Sequence, residues 1–258
     1  MKFKISVLFV VLAALIAVSG VSAQSSVKGM NVNGMTGVII TPTARIGWEK
    51  SDFGLDLSYT MAYKNDAAHI PAVTVSLFRK AEVAFAFDME GNDLTNLLFG
   101  GKYQLYKEGN TALALGGDFE YQTHDVAENN RASSDVYIVA TYSGDFFKMP
   151  AVTTMLFGWQ FMEAGDFSTD LNYSMGFELG LFPETFKNYV YWISDFSNYS
   201  YAIYSDKVNP ARGIFNTGLR IDPIKNSKYK FVINMLGTDL LDDGSRGFMI
   251  NATFGMGF

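Results

Sequence analysis

Nine of the charged residues that sit singly between apolar or glycine neighbours fall on strand-like alternating stretches. Asp56, Glu82, Asp88, Asp118, Glu120 and Glu178 are the acids, and Lys102, Arg220 and Lys230 are the bases. Side chains alternate across a strand with period two, so each charge faces away from its apolar neighbours. Acids and bases on one enclosed face can do two things. They can pair and hydrogen-bond as a closed network, because buried charges need partners, or they can line a polar path for a solute. His124-Asp125 is a second candidate, as half of a hydrolytic dyad. A nucleophile and oxyanion donors must also converge on such a pair, and no known motif surrounds it. The chain has only two His and no Cys, which excludes a three-histidine zinc site, thiolate metal sites and disulfides. No acidic loop matches an EF-hand. No catalytic residue, metal ligand or cofactor site is assigned. Tyr199, Tyr201 and Tyr204 form a third group. Their rings could stack on sugars, or sit at a membrane interface with one end apolar and the other wet.

The elements that must position these residues are strands. Phe53, Leu55, Leu57, Tyr59, Met61 and Tyr63 share one face, with Asp56, Ser58 and Thr60 on the other. Val83, Phe85, Phe87 and Met89 oppose Glu82 and Asp88. Leu113, Leu115, Phe119 and Tyr121 oppose Asp118 and Glu120. Leu171, Tyr173, Met175, Phe177 and Leu179 oppose Glu178. The pattern recurs around Lys102, Arg220 and Lys230. Residues 126–134 read as a loop, and residues 152–161 are apolar on both faces. Tyr189, Tyr191 and Ile193 read as one apolar face. About twelve strands result, many running 9–13 residues, long enough for a tilted strand to cross a bilayer. Connections near Arg79, Lys107, Pro150, Pro183 and Pro223 are short. Those near His69, Asn129, Asp166, Asp206 and Asp242 are mostly longer. Short turns on the side of both chain ends and longer loops opposite fit a bacterial outer-membrane barrel.

Composition agrees. Hydrophobic residues make up 48% of the chain and aromatics 15%, while charged residues make up only 18%, against roughly 25% in soluble domains. The net charge of −6 argues against a nucleic-acid partner, which requires basic patches. Residues 1–23 carry Lys2 and Lys4, an apolar run and Val21-Ser22-Ala23, the pattern of a cleaved signal peptide. Residues 24–50 form an N-terminal segment, either a lumen plug or an edge strand, since Pro42 lacks a donor for a central strand. Residues 51–258 form the barrel. The last thirteen residues, R-G-F-M-I-N-A-T-F-G-M-G-F, alternate throughout. They resemble the closing strand of bacterial outer-membrane barrels, which implies that Phe254, Met256 and Phe258 act as an assembly signal. The partners are then outer-membrane lipid and the barrel-assembly machinery.

Residues 35–44, M-T-G-V-I-I-T-P-T-A, resemble the TGLI-x-x-PTA opening of the YjbH-like outer-membrane barrels. Leu77-Phe78-Arg79 with Glu82-Val83, Gly101-Lys102-Tyr103-Gln104-Leu105 with Lys107-Glu108-Gly109, and Asn216-Thr217-Gly218-Leu219-Arg220 resemble later blocks of that family in the same order. The chain lacks the family's GL-x-x-x-GTG block and its additional domain. The resemblance implies a non-enzymatic role in export or surface handling of polysaccharide. The residues alone equally allow a small-solute porin or a structural barrel and, as a third class, a membrane-embedded hydrolase.

Overall fold

The computed structural model describes residues 29–63, 67–90, 94–124, 130–162, 171–199, 213–224, 228–241 and 246–258. Residues 1–23, the signal-peptide reading, lie outside these, as do Asp125, Tyr201, Tyr204 and the side chain of His124. The strands are β1 (Phe53–Tyr63), β2 (Ala67–Leu77), β3 (Ala81–Glu90), β4 (Leu94–Glu108), β5 (Thr111–His124) and β6 (Arg131–Phe146). They continue with β7 (Met149–Met162), β8 (Asn172–Gly180), β9 (Val190–Ser197), β10 (Ile214–Ile221), β11 (Tyr229–Thr238) and β12 (Gly247–Gly257). One short helix, α1 (Pro183–Phe186), lies between β8 and β9.

Each strand pairs antiparallel with its chain neighbours, and β12 pairs with β1 to close the barrel. The closing register runs from Gly54 opposite Gly257 to Tyr63 opposite Phe248. Closure follows from the environment. An open edge in lipid would leave backbone groups unsatisfied at several kcal/mol each, and a ring of strands has no edge. At the seam, Phe258 N–H donates to Phe53 O at 2.8 Å, and the two rings lie 5.7 Å apart. Phe254 faces outward, while Met256, also on the outer face, is half-buried.

Alternation decides which face is which. In β1 the apolar Leu57, Tyr59, Met61 and Tyr63 are exposed, while Asp56, Ser58 and Thr60 are buried. Soluble barrels are arranged the other way round. Outward apolar and aromatic side chains around a polar interior make this a transmembrane barrel.

Several local expectations are corrected. Residues 131–134 belong to β6, and His69 lies within β2, where its ring accepts or donates a 2.6 Å hydrogen bond with the Tyr59 hydroxyl. The β6–β7 turn falls on Phe147 and Lys148, both with positive φ, and Pro150 lies inside β7. Positive φ at both central residues is the backbone that a two-residue hairpin favours. The sequence shows no Asn or Gly there to mark it. Pro71 sits inside β2, and the β2–β3 ladder skips Ile70 and Pro71 because proline has no N–H to give. In β7, Val152, Thr154 and Leu156 face inward and Trp159 outward, which settles the orientation of residues 152–161.

Candidate functional site

The barrel interior is occupied by the chain's own residues 29–48. Met30, Met35, Val38, Ile39, Ala44 and Ile46 in this segment are fully buried. None of it joins the wall as a strand, so the edge-strand alternative is excluded, since a closed barrel has no edge. It folds on itself. Met30 bridges Thr36, Gly37 bridges Pro42, and Val32 N–H donates to Ile39 O at 2.9 Å. Only one strand side of a loop can be satisfied this way, so its remaining polar groups require partners from the wall.

The charged residues of the sequence supply many of them. Glu82 and Lys102, Cα partners on β3 and β4, form an ion pair at 2.9 Å. Lys102 also donates to the carbonyls of Thr36 and Thr43 at 2.9 and 2.8 Å. Glu82 accepts from the Thr36 hydroxyl and the Gly47 N–H, each at 2.6 Å. Arg220 pairs with Glu178 and donates to the carbonyls of Gly37 and Val38 at 3.0 and 2.8 Å. Lys230 pairs with Asp56 at 2.9 Å and lies 5.2 Å from the centre of the Trp48 ring. Trp48 Nε1 donates to the other Asp56 oxygen at 3.0 Å. The cross-strand glycines Gly54 and Gly257 form the bed for this indole. A Cβ on either would lie within 2.4 Å of it.

Of the nine charges singled out, six therefore form three buried ion pairs that hold the segment. Asp88 accepts from Asn96 at 3.4 Å, and Glu120 is buried on β5. Asp118 lies elsewhere, facing a cavity described below. Apolar contacts complete the seat. Val38, Ile39 and Ile40 pack with Ile70, Leu98, Ile193 and Leu236 from the wall.

Three anchoring residues escaped the sequence reading. Asp195 accepts from the N–H groups of Ile40 and Thr41 at 2.6 and 3.1 Å, and from Asn216 at 2.8 Å. Arg45 donates to Ser143 and to Asn110 O, and pairs with Glu49 at 3.3 Å. Thr141 accepts from Ala44 N–H at 2.8 Å. Asp195 was hidden by the expectation that Ile193 faces lipid. Ile193 points inward and is fully buried, with Asp195 two residues on along the same face. The acid itself was the available signal, since a charge on a spanning strand marks the inner face. Tyr199 also turns inward. It donates to the Ser174 hydroxyl at 2.8 Å and packs on buried side chains from the segment and the wall, not at the membrane interface.

At the loop end of the segment lies a cavity of about 40 Å³, lined by its Asn31, Asn33, Ile40 and Pro42 and by Asp118, Asp135, Tyr137, Gln160 and Tyr199. It is a polar space between the segment and the wall.

A closed antiparallel barrel of twelve strands, apolar outside and hydrogen-bonded inside, defines an outer-membrane β-barrel. Its structure is similar to that of the KdgM porin, with a TM-score of 0.51 at 4% identity over 79% of this chain and 99% of that one. A second KdgM structure, in complex with disordered oligogalacturonate, gives 0.53 at 5% identity. The NanC porin gives 0.51 at 8% identity over 79% of this chain and 100% of that one. No family model and no curated protein matches the sequence, so the likeness to YjbH-like barrels rests on the quoted residues alone.

Proposed function

We propose that this protein is a porin-type barrel for small solutes whose path is held closed by residues 29–48. The observation that carries this reading is the filled lumen, with the segment fixed by the pairs of Glu82, Glu178 and Asp56 with Lys102, Arg220 and Lys230. The likeness to two porins supports the conducting half of the proposal. Oligogalacturonate, the polyanion named with KdgM, is a poor candidate here, because Asp118 and Asp135 face a cavity beside the segment and, with no cation between them, would repel it. Neutral or cationic solutes fit better. On this reading the protein is not an enzyme and uses no cofactor. Its partners are outer-membrane lipid and the assembly machinery, which would read the edge carrying Phe254, Met256 and Phe258.

Planar bilayers test it. The full mature chain should show little conductance, and a variant lacking residues 29–48 should conduct steadily. A deletion variant that folds, as judged by heat-modifiable migration, yet stays silent would leave a structural barrel as the answer.

A second reading has its own observation. Residues 35–44, which resemble the YjbH-like opening, form the centre of the lumen segment. A role in handling exported polysaccharide would put that segment under functional constraint. Loss of surface polysaccharide on deleting the gene, restored by a chain whose conductance is unchanged, would favour it.

A further inference from the structure

We infer that the cavity at the loop end of the lumen segment binds one hard divalent cation of the Ca²⁺ kind, held by the carboxylates of Asp118 and Asp135. This is independent of whether the barrel conducts.

Asp118 and Asp135 are direct Cα partners on β5 and β6, and Asp118 N–H donates to Asp135 Oδ1 at 2.8 Å. Two like charges directly opposite on adjacent strands destabilise a sheet unless something neutralises them. For Asp56, Glu82 and Glu178 in the lumen, that something is a base. Among the described residues neither Asp118 nor Asp135 has an ion pair. Lys102 is committed to Glu82 and two carbonyls of the lumen segment.

A second observation points to a ligand. Tyr137, 2% exposed, lines the same cavity, and its buried hydroxyl has no hydrogen-bond partner in the structure. Leaving a buried hydroxyl unmatched costs about 1–3 kcal/mol, so a partner is expected in the space it faces. The site is also given room. Gly116 lies opposite Tyr137, where a Cβ would meet the phenol ring at 2.4 Å. Gly100 lies opposite Asp118, where a Cβ would meet the carboxylate at 2.2 Å.

The chemistry selects the ion. All the donors are oxygens or amides, the set preferred by hard cations rather than by zinc or copper. Two carboxylates balance a divalent charge. Gln160 and Asn172 line the cavity and can turn amide oxygens into it. The volume of about 40 Å³ exceeds the roughly 10–15 Å³ that one water requires, so an ion with a few waters fits. With only two charged ligands, affinity belongs at the weak end, with a Kd of about 10⁻⁴–10⁻³ M. The Tyr137 oxygen then contacts the ion or a water that the ion holds.

The test uses the purified, folded full mature chain in detergent. Equilibrium dialysis with Ca²⁺ should show one saturable site. Tb³⁺ added in its place should emit on tyrosine excitation, because Tyr137 and Tyr199 border the site. Asp118→Asn and Asp135→Asn should each weaken Ca²⁺ binding about tenfold or more. Tyr137→Phe should weaken it a few-fold and dim the sensitised emission. No saturable binding up to about 10 mM, ten times the weak end of the expected range, overturns the inference. So does binding that survives the double Asp118→Asn, Asp135→Asn substitution. Should the carboxylate variants fail to fold, Tyr137→Phe decides: unchanged affinity with unchanged emission overturns the inference.

Discussion

At the scale of single residues, the same chemical pair has different weight in different places. Arg79 and Asp52 meet at 2.8 Å with both side chains more than half exposed. Lys102 and Glu82 meet at 2.9 Å with neither exposed. An exposed pair is worth roughly 0–1 kcal/mol, whereas removing one partner of a buried pair costs about 3–5 kcal/mol because the other charge is stranded. Lys102→Met should therefore loosen the lumen segment, which loses two carbonyl contacts along with the cation. The expected result in single-channel recording is frequent opening from a barrel that is still heat-modifiable. Adding Glu82→Gln to Lys102→Met should recover part of the closed time, since no charge then remains unpaired. Arg79→Ala should leave both closure and stability unchanged within measurement.

At the scale of elements, the strands were legible because lipid and lumen impose opposite demands on alternate positions. Leu57, Phe85 and Phe254 read as outward and are exposed; Asp56, Glu82 and Glu178 read as inward and are buried. What was not legible had weak local signals. The Phe147–Lys148 turn lacks turn residues, and Ile193 is an apolar side chain on the inner face. The partners of the lumen segment were beyond reach for a different reason. Ile40 meets Asp195 across 155 residues of sequence, and no spacing rule encodes a contact of that span. Packing around the segment also changes what the inner face tolerates. Thr60 and Asn251 are buried and share a 2.8 Å hydrogen bond, so arginine at either would lack volume and would disrupt the packing. The outer face gives the cleaner test. Leu57→Arg should lower stability in lipid vesicles by about 2–4 kcal/mol if Leu57 lies near the midplane, while Leu57→Phe should leave the refolding midpoint in place. Equal effects from both would show that lipid does not contact this face.

At the scale of the whole molecule, the barrel and its lumen segment depend on each other. Without the segment, Ile70, Leu98 and Leu236 would face water and the Glu82 carboxylate would lose its bonds to Thr36 and Gly47. Without the wall, residues 29–48 would have too few internal hydrogen bonds to hold a fold. The anchoring charges are buried on both sides of each pair, so dissolved ions cannot approach them. Screening acts over about 10 Å at 0.1 M salt and 3 Å at 1 M, but it acts through solvent, and buried pairs are affected far less. A segment held by surface charges would be released as salt rises. This one should not be. Open probability in planar bilayers, compared between about 0.1 and 1 M salt after correction for bulk conductivity, is expected to stay constant for the native chain. A steep rise with salt would mean that closure depends on solvent-exposed charges, and that the three buried pairs are not what holds the lumen shut.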